Sequence, residues 1–409
     1  MKRAAGVLTA AIITVPLLGD GQFPDNPTFT TVSITPLAIE GLTGDDHGTL
    51  YTTGRAAVPT PCPVWRIDAG SGTLVSPVQV GSIGNAVGCN PSGITFDGAG
   101  NLYVADGNPG GGTGAIWKLT PSNMNPTVPF ATGVPGTNGI AFDRSGNLWT
   151  GDGTTGQGRV WRITPQGVVT EVFRVQPMRN GTSLGGLVPG DGVGRQVRSF
   201  PPGTLTITVP ASATPTVVTP AGGQDLVANG VAFDREGDMF IADTARGAIW
   251  RVQFDHMGNL RSPVGCDTTF APDTLCMSNV FVAHPLLEGT DGFALDREGN
   301  IWNAANERNA IVVVTKQKDV IEIFRNPPNA AHLRNSADPS VGDDHILETP
   351  TSPFLSDKLF CVAQSDGNRR DNSPNTPGEI NAGGPVGTRG KVSCMDQRLK
   401  IPGLSLPVR

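Results

Sequence analysis

Charge and aromatic residues are both scarce in this chain: Asp, Glu, Lys and Arg make up 16% of 409 residues, and Phe, Trp and Tyr 6%, with two tyrosines in all. The basic residues are scattered and the formal net charge is −6, which argues against nucleic acid or an anionic membrane surface as a partner. Long apolar runs are missing after the first twenty residues, so no later segment reaches transmembrane length. No Cys-x-x-Cys pair occurs, which argues against a zinc ribbon or a thioredoxin-like site. A Gly-x-Ser-x-Gly nucleophile elbow is also absent. The one glycine cluster, GGGTG at 110–114, lacks the Lys-Ser/Thr that a phosphate loop needs and reads as a turn. No stretch of helical period stands out.

Glycine and proline are plentiful, 54 and 35, as suits many short strands and tight turns. The amino terminus, MKRAAGVLTAAIITVPLLGDG, sets Lys2 and Arg3 before an apolar stretch from Ala4 to Leu18. That is the outline of a secretory signal over residues 1–19, either removed or, since no small-x-small site follows, kept as an uncleaved anchor. Six cysteines agree with export to an oxidising compartment, periplasmic or secreted. Fifteen pairings are open to them. Nearest-neighbour bridges, 62–89, 266–276 and 361–394, would each staple a local segment; free buried thiols are the other reading.

One pattern recurs: IEGLTGDDHGTLY from Ile39, PSGITFDGAGNLY from Pro91, TNGIAFDRSGNLW from Thr137, ANGVAFDREGDMF from Ala228 and TDGFALDREGNIW from Thr290. In each, the residue before the glycine lies eleven positions ahead of an aromatic, a fixed interval that marks a structural repeat. Counting back eleven from Phe360 places a sixth, degraded copy at Thr349. A third strand follows each aromatic, as in AIWKLTP (115–121) and AIWRVQF (248–254), and a fourth often follows that. Six units of four short strands predict an all-β, six-bladed β-propeller with four-stranded antiparallel blades, spanning 29–400 as one domain. Residues 176–226 hold no copy and read as a long inserted loop, 401–409 as a tail. FTTVSI (29–34) is expected to close the ring as the outer strand of the last blade, beside 390–399.

First strands line a propeller's channel, so equivalent positions at one end of them form a ring. In order that ring reads Glu40, Ser92, Asn138, Asn229, Asp291 and Thr349: all oxygen-bearing, none basic or apolar. Asparagine is a poor strand residue. One Asn-Gly alone would be explained as a turn cap, but that does not explain glutamate in the first copy or two acids joined by two amides. Convergent buried carboxylates repel one another unless a cation lies between them. Glu40, Asn138, Asn229 and Asp291 are the hard oxygen donors that suit one divalent cation, Ca²⁺ before others; without His or Cys in the ring, zinc does not fit.

The EG of the first copy, the NG of the third and fourth and the DG of the fifth, each leading into an FD-x-x-G-N-like turn, resemble the senescence-marker-protein/gluconolactonase (regucalcin-like) family. The resemblance implies a six-bladed propeller with one divalent cation on its axis that hydrolyses a small-molecule lactone or ester. It also implies that Glu40, Asn229 and Asp291 hold the metal, that Asn138 contacts metal or substrate, and that Asp291 doubles as general base or nucleophile. Ser92, Thr349 and the loop histidines His284 and His345 are further candidates for touching substrate. Asp106, Asp152 and Asp243, fourteen residues past ring positions, read as turn residues, and Trp117, Trp161 and Trp250 as packing between blades. Two other readings stay open: a non-catalytic propeller binding a ligand or a protein, and a strictosidine-synthase-like enzyme, which would need a lone glutamate instead of a four-ligand set.

Overall fold

The structure is a computed structural model that describes residues 22–24, 27–45, 47–55, 61–84, 88–107, 113–153, 155, 157–176, 196–198, 206–208, 228–244, 246–268, 270–287, 289–306, 309–325, 347–365 and 389–407. The signal-like residues 1–19 and His345 lie outside this set. Among the described residues the regular structure is strand, with short 3-10 turns at Ala69–Ser71, Met277–Asn279 and Pro285–Leu287. Among the described residues no helix is long and apolar enough to cross a membrane.

The strands fall into six antiparallel four-stranded sheets, each a blade. β1 (Phe29–Thr35) comes first and belongs to the last blade. Blade 1 is β2 (Ile39–Gly44), β3 (Thr49–Gly54), β4 (Cys62–Asp68) and β5 (Val78–Ile83). Blade 2 is β6 (Pro91–Phe96), β7 (Leu102–Asp106), β8 (Ala115–Leu119) and β9 (Ala131–Thr132). Blade 3 is β10 (Thr137–Phe142), β11 (Leu148–Asp152), β12 (Arg159–Ile163) and β13 (Val169–Arg174). A separate hairpin, β14 (Gln196–Arg198) with β15 (Thr206–Thr208), lies in the inserted segment. Blade 4 is β16 (Val231–Phe233), β17 (Met239–Asp243), β18 (Ala248–Val252) and β19 (Val280–Ala283). Blade 5 is β20 (Thr290–Leu295), β21 (Ile301–Ala305), β22 (Ala310–Val314) and β23 (Val320–Arg325). Blade 6 is β24 (Pro350–Ser356), β25 (Leu359–Gln364) and β26 (Gly390–Met395), completed by β1 on the outer edge of β26. Pairing the chain's first strand with its last closes the ring where the sequence placed the closure, and leaves only short edges.

The repeated turn between first and second strands is held by its aspartate. Asp143 Oδ1 accepts the amides of Ser145 (2.8 Å) and Asn147 (2.9 Å), while Oδ2 accepts Asn147 Nδ2 (2.9 Å) and Trp149 Nε1 (2.8 Å). Asp296 repeats the pattern with Glu298, Asn300 and Trp302. Gly146 takes a left-handed φ of 78°, which a Cβ would strain. So the Asp-x-x-Gly-Asn-x-Trp spelling is a turn and its anchor. Blade 4 carries Asp238 where blades 2, 3 and 5 have Asn; burial pushes the Asp234 carboxyl up, nearby Asp238 and Glu236 add to the rise, and Arg251 takes Asp238.

The core lies between blades. Trp149 packs against Phe233 (6.1 Å between centroids) and Phe254 (5.1 Å) of the next blade, and Trp117, Trp161 and Trp250 are buried. Asp106 accepts Trp117 Nε1 at 3.1 Å and Asp243 accepts Trp250 Nε1 at 3.0 Å, so these aspartates are structural anchors. The bridges are Cys62–Cys89, Cys266–Cys276 and Cys361–Cys394, the nearest-neighbour set. The last joins residues paired across β25 and β26.

Candidate functional site

The first strands of successive blades meet edge to edge, and the residues before the glycines are where they meet. Gly139 N donates to Asn229 O and Gly230 N to Asp291 O, each at 3.2 Å. Ser92 Oγ donates toward Thr137 O (3.1 Å) and Asn138 O (3.3 Å), and Thr351 Oγ1 to Glu40 O at 2.7 Å. A Cβ built on Gly41 would run into Ser92 O, and one on Gly292 would lie 2.6 Å from Thr351 O. Glu40, Ser92, Asn138, Asn229, Asp291 and Thr351 therefore follow one another around a closed ring, and all six are buried.

The sixth member is Thr351, not Thr349. In blades 1, 2, 3 and 5 the amide just past the second strand donates to the carbonyl two residues before the ring position: Arg55 to Ala38, Gly107 to Asn90, Gly153 to Gly136, Asn306 to Gly289. In blade 6 the same bond runs from Ser365 to Thr349, which puts Thr349 in the place of Ala38. The turn of blade 6 is shorter: Leu355 pairs with Phe360, and Cys361, opposite Phe354, stands where the other blades have their aromatic. Counting back from Phe360 therefore misses by two. Thr349 has a left-handed φ of 50° and its amide bonds Asn309 Oδ1 at 2.8 Å.

A second set of residues, fifteen past the ring positions, sits against the first: Arg55, Gly107, Gly153, Thr244 and Asn306. Arg55 forms an ion pair with Glu40. Asn306 Nδ2 donates to Asp291 Oδ2 at 2.8 Å. The Asn138 amide lies over Gly153, whose Cβ, if present, would be 2.6 Å from its Nδ2. Asn229 Nδ2 donates to Thr244 Oγ1 at 3.0 Å. Thr244 spends its own proton on Thr290 O at 2.6 Å, so toward Asn229 it can only accept, which fixes the orientation of the amide. Asn229 Oδ1 is then buried with no hydrogen-bond partner. An orphaned amide oxygen is costly in a buried place unless something electropositive meets it. None of these partners was singled out from the sequence, although the constant interval of fifteen is the signal that carries them.

Among the described residues no three His, Cys, Asp or Glu side chains cluster as a metal site. A cation held here would rest on two carboxylates and two amides, a hard all-oxygen set. His284 follows β19 and accepts the Leu286 amide on Nδ1 at 3.1 Å.

The other end of the channel is apolar. Leu42, Ile94, Ile140, Val231, Phe293 and Pro353, each two residues beyond a ring position, line a cavity of about 90 Å³ closed by Leu404, Leu406 and Pro407. The tail is anchored by Leu404 N to Leu295 O and Gly403 N to Asp357 O, both 2.8 Å. It covers that end of the channel with apolar side chains. Leu404→Ala is expected to lower stability by about 2–3 kcal/mol, the cost of a core leucine truncation; an unchanged urea midpoint would show that the tail is not seated.

Residues 205–333 match the family described as SMP-30/Gluconolactonase/LRE-like region. Among solved structures, a calcium-binding protein, regucalcin, from Agrobacterium tumefaciens is 14% identical with a TM-score of 0.50, covering 93% of this chain and 97% of its own. A luciferin-regenerating enzyme is 15% identical, TM-score 0.50, covering 93% and 98%. A PQQ-bound aldose sugar dehydrogenase from Streptomyces coelicolor is 13% identical, TM-score 0.51, covering 91% and 99%. At such identities the likeness is one of fold. No curated protein matches the chain.

Proposed function

We propose that this chain, whose residues 205–333 match the SMP-30/gluconolactonase/LRE-like family, is a metal-dependent hydrolase of the gluconolactonase type that opens a lactone or cleaves an ester at its axial ring. The observation that carries the reading is the buried, partnerless Asn229 Oδ1 on a ring with Glu40 and Asp291. Glu40, Asn138, Asn229 and Asp291 are the residues that would hold a divalent cation, and their hard oxygens favour Ca²⁺. When bound, the cation supplies Lewis-acid polarisation of the substrate carbonyl. Asp291, its Oδ2 held by Asn306, is the base that takes the proton of the attacking water. Arg55 pairs with Glu40 and balances the charge of a carboxylate that would also hold the cation. Ser92 has its proton committed to backbone carbonyls, so toward substrate it can only accept.

Three disulfides suit an exported, periplasmic or secreted protein.

Metal analysis of the purified full chain, followed by a panel of lactones and aryl esters with and without chelator, tests the proposal. Expected are one divalent cation per chain, hydrolysis lost in chelator, and recovery on adding Ca²⁺. Hydrolysis indifferent to chelator would overturn the mechanism.

A further inference from the structure

We propose that Arg246 forms an anion subsite beside the ring, so that the molecule bound there carries a carboxylate. Arg246 lies in the turn after β17, and its side chain is 1% exposed. Nη1 pairs with Asp243 Oδ2 and the guanidinium lies over the Trp250 ring, 5.5 Å from its centroid. Nε and Nη2 are buried with no hydrogen-bond partner. Asp243 already takes Trp250 Nε1 on the same Oδ2 and the Arg246 amide on Oδ1.

Blade 3 holds the same constellation with its donors used. There Arg159 lies over Trp161 at 5.2 Å, its Nε donates to Asp152 Oδ2 at 3.1 Å and its Nη2 to Thr155 Oγ1 at 3.1 Å, with the side chain 21% exposed. Arg246 is more deeply buried and makes neither of those bonds. Charged donors without an acceptor in such a place are among the most costly groups to bury. Nε–H and Nη2–H form one edge of the guanidinium, a parallel pair that matches the two oxygens of a carboxylate.

Position favours a ligand that also reaches the ring. Thr244, two residues before Arg246, holds Asn229, and Gly247, one residue after, accepts the His284 amide at 3.1 Å. The short turn after β17 thus holds Arg246, a donor pair without an oxygen, and through Thr244 touches Asn229, an oxygen without a donor. A single guanidinium already paired with Asp243 suits one carboxylate group, with its single charge, better than a phosphate dianion.

Two measurements on the full-length protein test this. Calorimetric titration with glutarate should show binding to the wild type and at least about tenfold weaker binding to Arg246→Lys, which keeps a cation for Asp243 but loses the paired edge. Glutarate should also raise the wild type's unfolding temperature, a result that needs no variant. No binding to the wild type, or equal binding to both proteins, would overturn the subsite. The second measurement rests on the hydrolase reading: kcat/KM for γ-butyrolactone against its ring-carboxylated analogue. The wild type should favour the carboxylated lactone about tenfold or more, and Arg246→Lys should lose that ratio. Glutarate binding without turnover of either lactone would support the subsite and reject the hydrolase; turnover of both lactones at equal rates would do the reverse.

Discussion

Replacing Asp291 with asparagine should reduce kcat about a thousandfold, within the range a general base contributes, while leaving the unfolding temperature nearly unchanged. The side chains match in volume, and the introduced amide would still offer an oxygen to Asn306 Nδ2, which lies 2.8 Å from the carboxylate in the wild type. The backbone link in which Asp291 O accepts Gly230 N at 3.2 Å is unaffected. What disappears is the charge and the capacity to accept a proton, so the loss should fall on the chemical step. Comparing kcat with thermal unfolding separates the two: a variant that turns over like the wild type removes Asp291 from the mechanism, and one that unfolds early assigns it to the scaffold. The same change should weaken Ca²⁺ binding, since one of two ring carboxylates is gone.

How much of this was legible in the sequence depended on whether a feature was periodic. The eleven-residue interval exposed five first strands, the ring residues Glu40, Ser92, Asn138, Asn229 and Asp291, and the blade count, because each copy keeps the same turn length. Blade 6 breaks that rule with a shorter turn, so the interval points to Thr349 while the ring residue stands at Thr351. Closure by β1 was readable from alternation next to a cysteine-bearing last strand. The partners of the ring were equally periodic but chemically diverse. Arg55, Gly153, Thr244 and Asn306 share a place and no side-chain type, so composition hid what spacing held. The tail that covers one end of the channel was not legible at all, because Leu404 finds Leu295 only through the assembled fold. The question posed by an asparagine opening a strand has its answer in packing as well as chemistry: Asn138 and Asn229 sit where neighbouring first strands touch, beside glycines that allow the approach.

Those glycines give the second large effect. Gly139→Ala should cost about 3 kcal/mol or more, at or beyond the upper end for overpacking, because the obstacles are backbone. A Cβ at Gly139 would lie 2.6 Å from Asn229 O, 2.7 Å from Gly230 Cα and 2.8 Å from Val231 N. No rotamer change relieves a clash between main chains, so blades 3 and 4 must part at the level of the ring, stretching the bond from Gly139 N to Asn229 O. Gly146→Ala is the control: it places a Cβ in a left-handed turn with nothing within 4 Å, and should cost only about 1–2 kcal/mol of backbone strain. Urea unfolding of the two variants ranks them. Should Gly139→Ala be the milder, the inner strands are not in the contact described, and the ring that would hold a cation is wider than the one on which the proposed function rests. If the ranking holds, Gly139→Ala should also bind Ca²⁺ more weakly than Gly146→Ala, since it separates Asn138 from Asn229 while leaving every ligand side chain in the sequence.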